Sequence, residues 1–304
     1  MASTSEPLSP GNATPSAEMP RPRPHPQANP AVPASQRLHP ARLALRVYVG
    51  VVLLFLVLPI LAIVPLSFSS GSLLVYPLPG LSLRWYVEVL TSATWMRALG
   101  NSLLVGVLAT GLAVVLGTLA SLGLARRRDA WAAALKMLAL SPMIVPVILI
   151  AVASYFFLAP LQLTGSYVGL VITHTVIAVP FVVIPVLTAL ELLDPNLARA
   201  AAACGAGPAA AFWRVTLPGI RPAMASGALF AFAASFDDVV IALFIAGAQQ
   251  RTLPQEMFSG LRDSITPAML AVATLMIGVS TALYLAVARV QRRGREALQA
   301  QGGL

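Results

Sequence analysis

Cysteine and lysine are almost absent from this chain of 304 residues. Cys204 is the single cysteine, which excludes an intramolecular disulfide and a metal site built from several cysteines. We expect Cys204 to be a small apolar filler rather than a reactive thiol. Lys136 is the single lysine, and no glycine-rich loop precedes it, so a Walker A motif is missing. We therefore expect no ATP hydrolysis by this chain and no cofactor in it.

Motifs of intramembrane enzymes are missing as well. His174 is the one histidine within the long apolar runs, and neither a His-Glu-x-x-His nor a Gly-x-Ser-Gly motif accompanies it. Asp237 and Asp238 are adjacent, unlike aspartyl dyads that come from two separate segments. His174 is either a helix-packing hydrogen-bonding group or a polar group lining a cavity. We expect no catalytic residues and no metal site.

Apolar residues dominate what is present. The chain is 58% hydrophobic and only 10% charged, with a mean hydropathy of +0.81, which is more apolar surface than one soluble core can bury. The net charge of +9 comes from 20 basic residues, all but one of them arginine. These arginines flank apolar runs, which favours membrane topology over nucleic-acid binding. The composition predicts an all-α polytopic membrane protein.

Three regions follow from the apolar pattern. Residues 1–40, rich in proline, serine and alanine, predict a disordered cytosolic tail. Residues 41–295 form the predicted transmembrane domain, and 296–304 a cytosolic C-terminal tail. Each apolar run is close to the ~20 residues needed to cross a bilayer core. The six predicted spans cover residues 45–68, 102–125, 138–158, 167–190, 223–246 and 268–290.

The arginines also predict which side of the membrane each loop faces. With the N-terminus inside, sixteen of the 20 basic residues fall in cytosolic segments and four in outer segments. This excess follows the positive-inside rule and places both termini in the cytoplasm. Spans three and four contain prolines, which indicate either packing kinks or helices bent around a central path. These prolines are Pro142, Pro146, Pro180 and Pro185.

The loop between spans four and five, residues 191–222, carries strong local signals. Asp194 and Pro195 are typical of a helix start, and residues 198–203 are nearly all helix formers. The segment Gly205-Ala206-Gly207-Pro208 ends that helix and allows a second one to begin. The Thr-Leu-Pro segment at 216–218 predicts the end of the second helix. We expect two short helices joined by a glycine turn on the cytosolic face.

This loop resembles the coupling loop, or EAA loop, of binding-protein-dependent ABC importer permeases. The family pattern is Glu-Ala-Ala, three residues, a glycine and, further on, a Leu-Pro pair. The residues in that register are Ala200, Ala201, Gly205, Leu217 and Pro218, with Arg199 in the position of the glutamate. Because of Arg199, the family's acidic contact with the ATPase does not carry over. Either Arg199 pairs with an acid on the partner or Asp194 substitutes for the glutamate.

The resemblance extends over residues 45–295 and is most similar to the polyamine branch, the second permease of spermidine/putrescine-type importers. "LSLRWYVEVL", "NSLLVGVLATGLAVVLGTLASLGLARRR" and "SFDDVVIALFIAG", followed by "RTLPQEMFSGLRDSITPAMLAVATLM", carry it. It implies a type I ABC importer permease fold in the bacterial inner membrane. The implied cargo is a small cationic solute such as a polyamine. The alternatives are another small solute or a secondary transporter, although the paired repeats typical of the latter are not evident.

The same resemblance implies partners. Two ATP-binding cassette subunits would bind ATP and magnesium, and a periplasmic binding protein would deliver the solute to the permease in the lipid bilayer. A second permease subunit would complete the path, as a paralogous heterodimer or a homodimer. We expect no nucleic-acid partner.

Asp237 and Asp238 are the candidate path residues. An aspartate at mid-membrane costs about 2.5–3.5 kcal/mol, so two of them need partners or water. On a continuous fifth span, Asp238 falls within a stripe of small residues and Asp237 lies on its flank. The stripe consists of Ala223, Gly227, Ala231 and Ser235. Either both carboxylates are bonded without a role in transport, or at least one lines the path and attracts a cation.

Overall fold

The computed structural model describes residues 40–263 and 266–302, and within them the chain is almost entirely helical. Contacts divide the chain into two units, residues 1–56 and 57–304. An isolated antiparallel bridge joins Ser69 to Leu81. The helices are α1 (Pro40–Ser67), α2 (Arg84–Thr91), α3 (Ala93–Leu124), α4 (Ala130–Leu140), α5 (Val147–Leu158), α6 (Tyr167–Leu192), α7 (Pro195–Ala203), α8 (Pro208–Ala211), α9 (Leu217–Phe236), α10 (Val240–Ile245), α11 (Leu253–Asp263) and α12 (Pro267–Gly302).

Four of these helices are long and apolar enough to cross a membrane. They are Leu43–Ser67 of α1, all of α3, all of α6 and Pro267–Ala286 of α12. Helix α3 begins at Ala93, well before the predicted start of the second span at residue 102. Helices α4 and α5 are together long and apolar enough for a fifth crossing if they count as one bent span. Their axes differ by 104° across a short break.

The bend between α4 and α5 shows that the predicted third span at 138–158 is not one continuous helix. Pro142 lies in a short 3-10 turn, and Pro146 immediately precedes the first residue of α5. Proline cannot donate a backbone hydrogen bond, so a pair of them readily interrupts a helix. Pro180 and Pro185, by contrast, lie inside the uninterrupted helix α6. The same residue type therefore breaks one predicted span and is accommodated in the next.

Helices α3, α6 and α9 form the centre of the fold, and small residues allow them to approach closely. A Cβ atom added to Gly227 of α9 would lie 3.0 Å from the carbonyl oxygen of Phe181 and 3.0 Å from Cα of Val182, both on α6. Backbone atoms cannot move aside as a flexible side chain can. Gly227 and Ala231 are buried at this contact, which confirms the predicted packing role of the small-residue stripe on α9.

Candidate functional site

The 191–222 loop begins as the sequence predicted. The side chain of Asp194 caps α7, with Oδ1 accepting a hydrogen bond of 2.9 Å from the backbone N–H of Asn196, and Pro195 occupies the first helical position. Gly205 follows the helix with a φ of +83°, the left-handed conformation that favours glycine at a helix C-terminus. The candidate residues thus lie together on α7 and its closing turn. Arg199, Ala200 and Gly205 are exposed, and Ala201 is half-buried.

The second half of the loop differs from the prediction. Helix α8 does not end at residues 216–218; it continues through a π-helical turn, Phe212–Thr216, directly into α9. The N–H of Leu217 donates to the carbonyl of Phe212, five residues earlier. This wider turn makes room for Pro218, whose ring would otherwise collide with a carbonyl one turn back. Leu217 and Pro218 therefore begin a long helix rather than close a short one.

A cleft of about 1060 Å³ lies between this loop and the turn that joins α3 to α4; we call it the basic cleft. Lys136 in its wall pairs with Glu191 at 3.1 Å. Arg127 pairs with Asp129 at 2.7 Å, and this guanidinium, with a hydrogen bond from the Ala132 N–H, holds the pKa of Asp129 below its usual range. Within the described residues, the remaining cleft arginines have no carboxylate partner. They are Arg126, Arg128 and Arg199.

The predicted fifth span is broken at the two aspartates. Helix α9 ends at Phe236 and α10 begins at Val240, so residues 237–239 are not helical. Oδ2 of Asp238 accepts a hydrogen bond of 2.8 Å from the N–H of Ile241 and so caps α10. Asp237 is exposed, and its carboxylate makes no hydrogen bond or ion pair with any residue that the structure describes. The helical wheel that placed Asp238 in the small stripe is wrong, because no continuous helix passes through it.

A buried histidine holds the end of α9 beside α6. His174 is fully buried on α6, and its Nδ1 shares a hydrogen bond of 3.0 Å with Oγ of Ser235, two residues before Asp237. Its Nε2 finds no partner within the described part of the chain. Of the two interpretations of His174, the helix-packing hydrogen bond matches this geometry. The contact ties α6 to the segment that carries the aspartates.

Sequence reasoning missed a polar hub centred on Asn101 of α3. Nδ2 of Asn101 donates to the carbonyls of Gln249 and Arg251, both at 2.9 Å, and Oδ1 accepts from the hydroxyl of Tyr167 at 2.8 Å. Arg97 adds a bond of 2.9 Å to the Gln249 side chain. The hub fixes the segment after α10 to α3 and α6. No local pattern indicates it, because its hydrogen-bonded partners are 66 to 152 residues apart.

One helix connects the two candidate regions. Leu217 and Pro218 are the first residues of α9, and Asp237 follows its last residue. With 20 residues and a rise of 1.5 Å per residue, α9 is about 30 Å long. Helix α9 therefore links the 191–222 loop directly to the broken segment at its other end.

Four helices of membrane-spanning length, packed around a common centre, define a multi-pass helical protein in which α9 joins a surface loop to a break before α10. The same fold occurs in a crystal structure of a bacterial ABC transporter involved in the import of the acidic polysaccharide alginate. That chain has a TM-score of 0.65 and 17% identity, and the match covers 84% of this chain and 98% of the other. A chain of the MetNI methionine ABC transporter matches with a TM-score of 0.55 and 19% identity, covering 67% of this chain and 99% of the other.

The family follows from sequence similarity. The family model described as binding-protein-dependent transport system inner membrane component matches residues 113–296. The putrescine transport system permease protein PotI of Escherichia coli K12 is 33% identical over 261 residues, 82% of this chain and 92% of that protein. The spermidine/putrescine transport system permease protein PotC of Haemophilus influenzae is 29% identical over 248 residues, 81% and 95% of the two chains. The chain belongs to this family of inner-membrane permeases, which are transport rather than catalytic components.

Proposed function

We propose that this chain is the permease subunit of an ATP-driven importer and moves a small cationic solute, a polyamine, across the inner membrane. The observation that carries the choice of cargo is Asp237, an exposed carboxylate without a partner in the described chain, located at a break in an apolar segment. A charge in such a place is costly unless water or a cation accompanies it. The relatives PotI and PotC, named for putrescine and spermidine/putrescine transport, support the same class of cargo.

The proposed topology has six spans with both termini in the cytoplasm. Helices α1, α3, α6 and α12 cross singly, while α4 with α5 and α9 with α10 each form a broken span. The distribution of arginines supports this orientation. Residues 41–295 form the transmembrane domain, and the segments 1–40 and 296–304 are proposed cytosolic tails.

The proposed mechanism uses the 191–222 loop as the coupling loop. Two ATPase subunits, which bind the ATP and magnesium, dock on the surface formed by Arg199, Ala200, Ala201 and Gly205. Their closure moves this loop, and α9 carries the motion to residues 237–239. A second permease, paralogous or identical, completes the path, and a periplasmic binding protein delivers the solute. In this mechanism the chain contributes part of the solute path and the helix α9 that moves with the loop, and the ATPase subunits hydrolyse the ATP.

Reconstitution tests the function directly. The chain is purified with its ATPase and second permease, placed in liposomes with the binding protein, and supplied with labelled putrescine or spermidine. We expect uptake that depends on both ATP and the binding protein. ATP-dependent uptake of a different solute would contradict only the polyamine assignment, whereas no ATP-dependent uptake of any ligand held by the binding protein would contradict the permease function.

The topology has its own test in Cys204, the only cysteine of the chain. The structure places Cys204 exposed at the end of α7, not packed as the small apolar filler that we expected. A membrane-impermeant maleimide should label it in inside-out vesicles and leave it unlabelled in right-side-out vesicles. Removal of the ATPase subunits should increase the labelling if they cover this loop. Cys204→Ser provides the blank. Equal labelling from the periplasmic side would contradict the cytosolic position of the loop.

A further inference from the structure

The 191–222 loop presents a positive charge to the basic cleft. Arg199, which lines the cleft, is exposed on α7 with Nη1 3.5 Å from Oδ1 of Asn196. The nearby carboxylate of Asp194 caps α7 and is not part of the cleft lining, so it does not offset this charge within the cleft. A partner surface that suits this loop must therefore present negative charge rather than positive charge.

The opposite wall of the cleft carries the same sign. Arg126 and Arg128 lie in the turn between α3 and α4 and have no carboxylate partner in the part of the chain that the structure describes, whereas the other two cations of the cleft are each neutralised within the chain. Together with Arg199, three unneutralised guanidinium groups face one cavity. Like charges held together are destabilising unless a counter-charge approaches them.

The residues that line the cleft favour a protein segment over a lipid headgroup. The large apolar side chains exposed on α4 are Trp131, Leu135, Met137 and Leu138. These four do not line the cleft, and the α4 residue in the cleft wall is Lys136. The apolar surface of α4 that would suit acyl chains therefore lies outside the cleft. The wall formed by α7 instead carries alanines, which let another backbone approach closely.

We infer that the ATPase subunit docks on this permease through an acidic segment that enters the basic cleft and contacts both of its walls, Arg199 on α7 and the arginines of the α3–α4 turn. This inference rests on the proposed function, and it adds a second contact element and the sign of the partner's surface. With docking on both walls, ATPase binding would depend on the distance between the α3–α4 turn and the 191–222 loop as well as on the position of that loop.

Crosslinking from Cys204 tests where the ATPase lies. The purified complex is treated with a maleimide–diazirine reagent, illuminated and analysed by mass spectrometry. The expected crosslink joins Cys204 to an ATPase peptide that contains aspartate or glutamate. A crosslink to an ATPase peptide without acidic residues would overturn the acidic-segment inference and leave the proposed function standing. No crosslink to the ATPase at all would count against docking on this loop, and so against both.

Charge removal tests the two walls separately. Arg199→Gln and the double variant Arg126→Gln/Arg128→Gln should each lower the affinity of the ATPase for the membrane complex about tenfold, equivalent to about 1.4 kcal/mol. Arg289→Gln, an exposed cation on α12 away from the cleft, is the matched control and should not change it. Affinity is measured as the fraction of ATPase that stays bound to the membrane complex as the salt concentration is raised. The phosphatidylglycerol bound to the complex is quantified in parallel. Unchanged retention in the double variant overturns the inference, and a simultaneous loss of phosphatidylglycerol would assign the cleft to a lipid instead.

Discussion

Replacing Asp237 with asparagine should reduce ATP-dependent polyamine uptake by about ten- to a hundredfold, because a hydrogen bond or contact with a charged group contributes about 1.5–3 kcal/mol. Asparagine keeps the size of the side chain and removes only its charge. Since Asp237 is exposed and unpaired within the described chain, the substitution breaks no internal contact, and the amount of assembled complex should not change. Uptake and substrate-stimulated ATPase activity, measured in the reconstituted complex, give the readout.

Asp238 is the matched control, one residue away and equally charged. Asp238→Asn preserves a side-chain oxygen that can accept from the N–H of Ile241, so α10 keeps its cap and uptake should remain within a few-fold of the wild type. Asp238→Ala removes the cap, which costs about 0.5–2 kcal/mol, and should lower the melting temperature of the complex. Normal uptake by Asp237→Asn with normal assembly would contradict a path role for Asp237. Equal losses in both asparagine variants would place both carboxylates in the path.

The aspartate pair shows where sequence reasoning succeeds and where it fails. The pair stands out in an apolar run, so its importance could be predicted. Its geometry could not, because the helical wheel assumed that 223–246 is one helix. A signal for the break was present, because aspartate is favoured at helix starts, where its carboxylate accepts from an N–H of the first turn. Asp238 lies two residues before α10 begins at Val240, and its Oδ2 accepts from the N–H of Ile241. An acid in a predicted span can thus mark a new helix start as well as a buried charge.

The 191–222 loop shows the same division. Its beginning is specified locally, by Asp194 and Pro195 at the helix start and by Gly205 at its end, and the structure confirms all three. Its second half depends on tertiary packing. Pro218 predicted a helix end, but α9 packs against α3 and α6, and a π-helical turn before Leu217 accommodates the proline without ending the helix. Local sequence signals predict helix ends well where the chain is exposed. They predict them less well where the burial of apolar side chains stabilises a continuous helix.

Helix α9 gives a physical reason to treat the two sites as one system. A close-packed helix moves as a rigid body, since its interior contacts leave little room for compression. Gly227 holds α9 against the backbone of α6, and the bond between Ser235 and His174 fixes its far end. Motion of the coupling loop therefore requires either rotation of α9 against α6 or a joint movement of both helices. In each case residues 237–239, which are not helical, are the part of the segment that can change conformation at the lowest cost.

Substitution of Gly205 should uncouple ATP hydrolysis from transport. At a φ of +83°, a residue with a Cβ atom costs about 1–2 kcal/mol, and a β-branched residue costs more because its side chain is stiff at χ1. No heavy atom lies within 4 Å of an added Cβ, so the effect comes from the backbone alone. We expect Gly205→Val to shift the turn after α7 and to reduce uptake about tenfold or more, while ATPase activity persists.

Gly207→Val is the control that separates conformation from bulk. Gly207 lies two residues further on in the same exposed turn, also has no heavy atom within 4 Å of an added Cβ, and adopts a φ of −66° that any residue can reach. It should therefore transport nearly normally. Gly205→Asn should retain more activity than Gly205→Val, because asparagine tolerates the left-handed region. The expected ratio of uptake to ATP hydrolysed is highest for Gly207→Val, lower for Gly205→Asn and lowest for Gly205→Val. Equal effects at 205 and 207 would mean that the surface of the turn, rather than its backbone geometry, is what the ATPase requires.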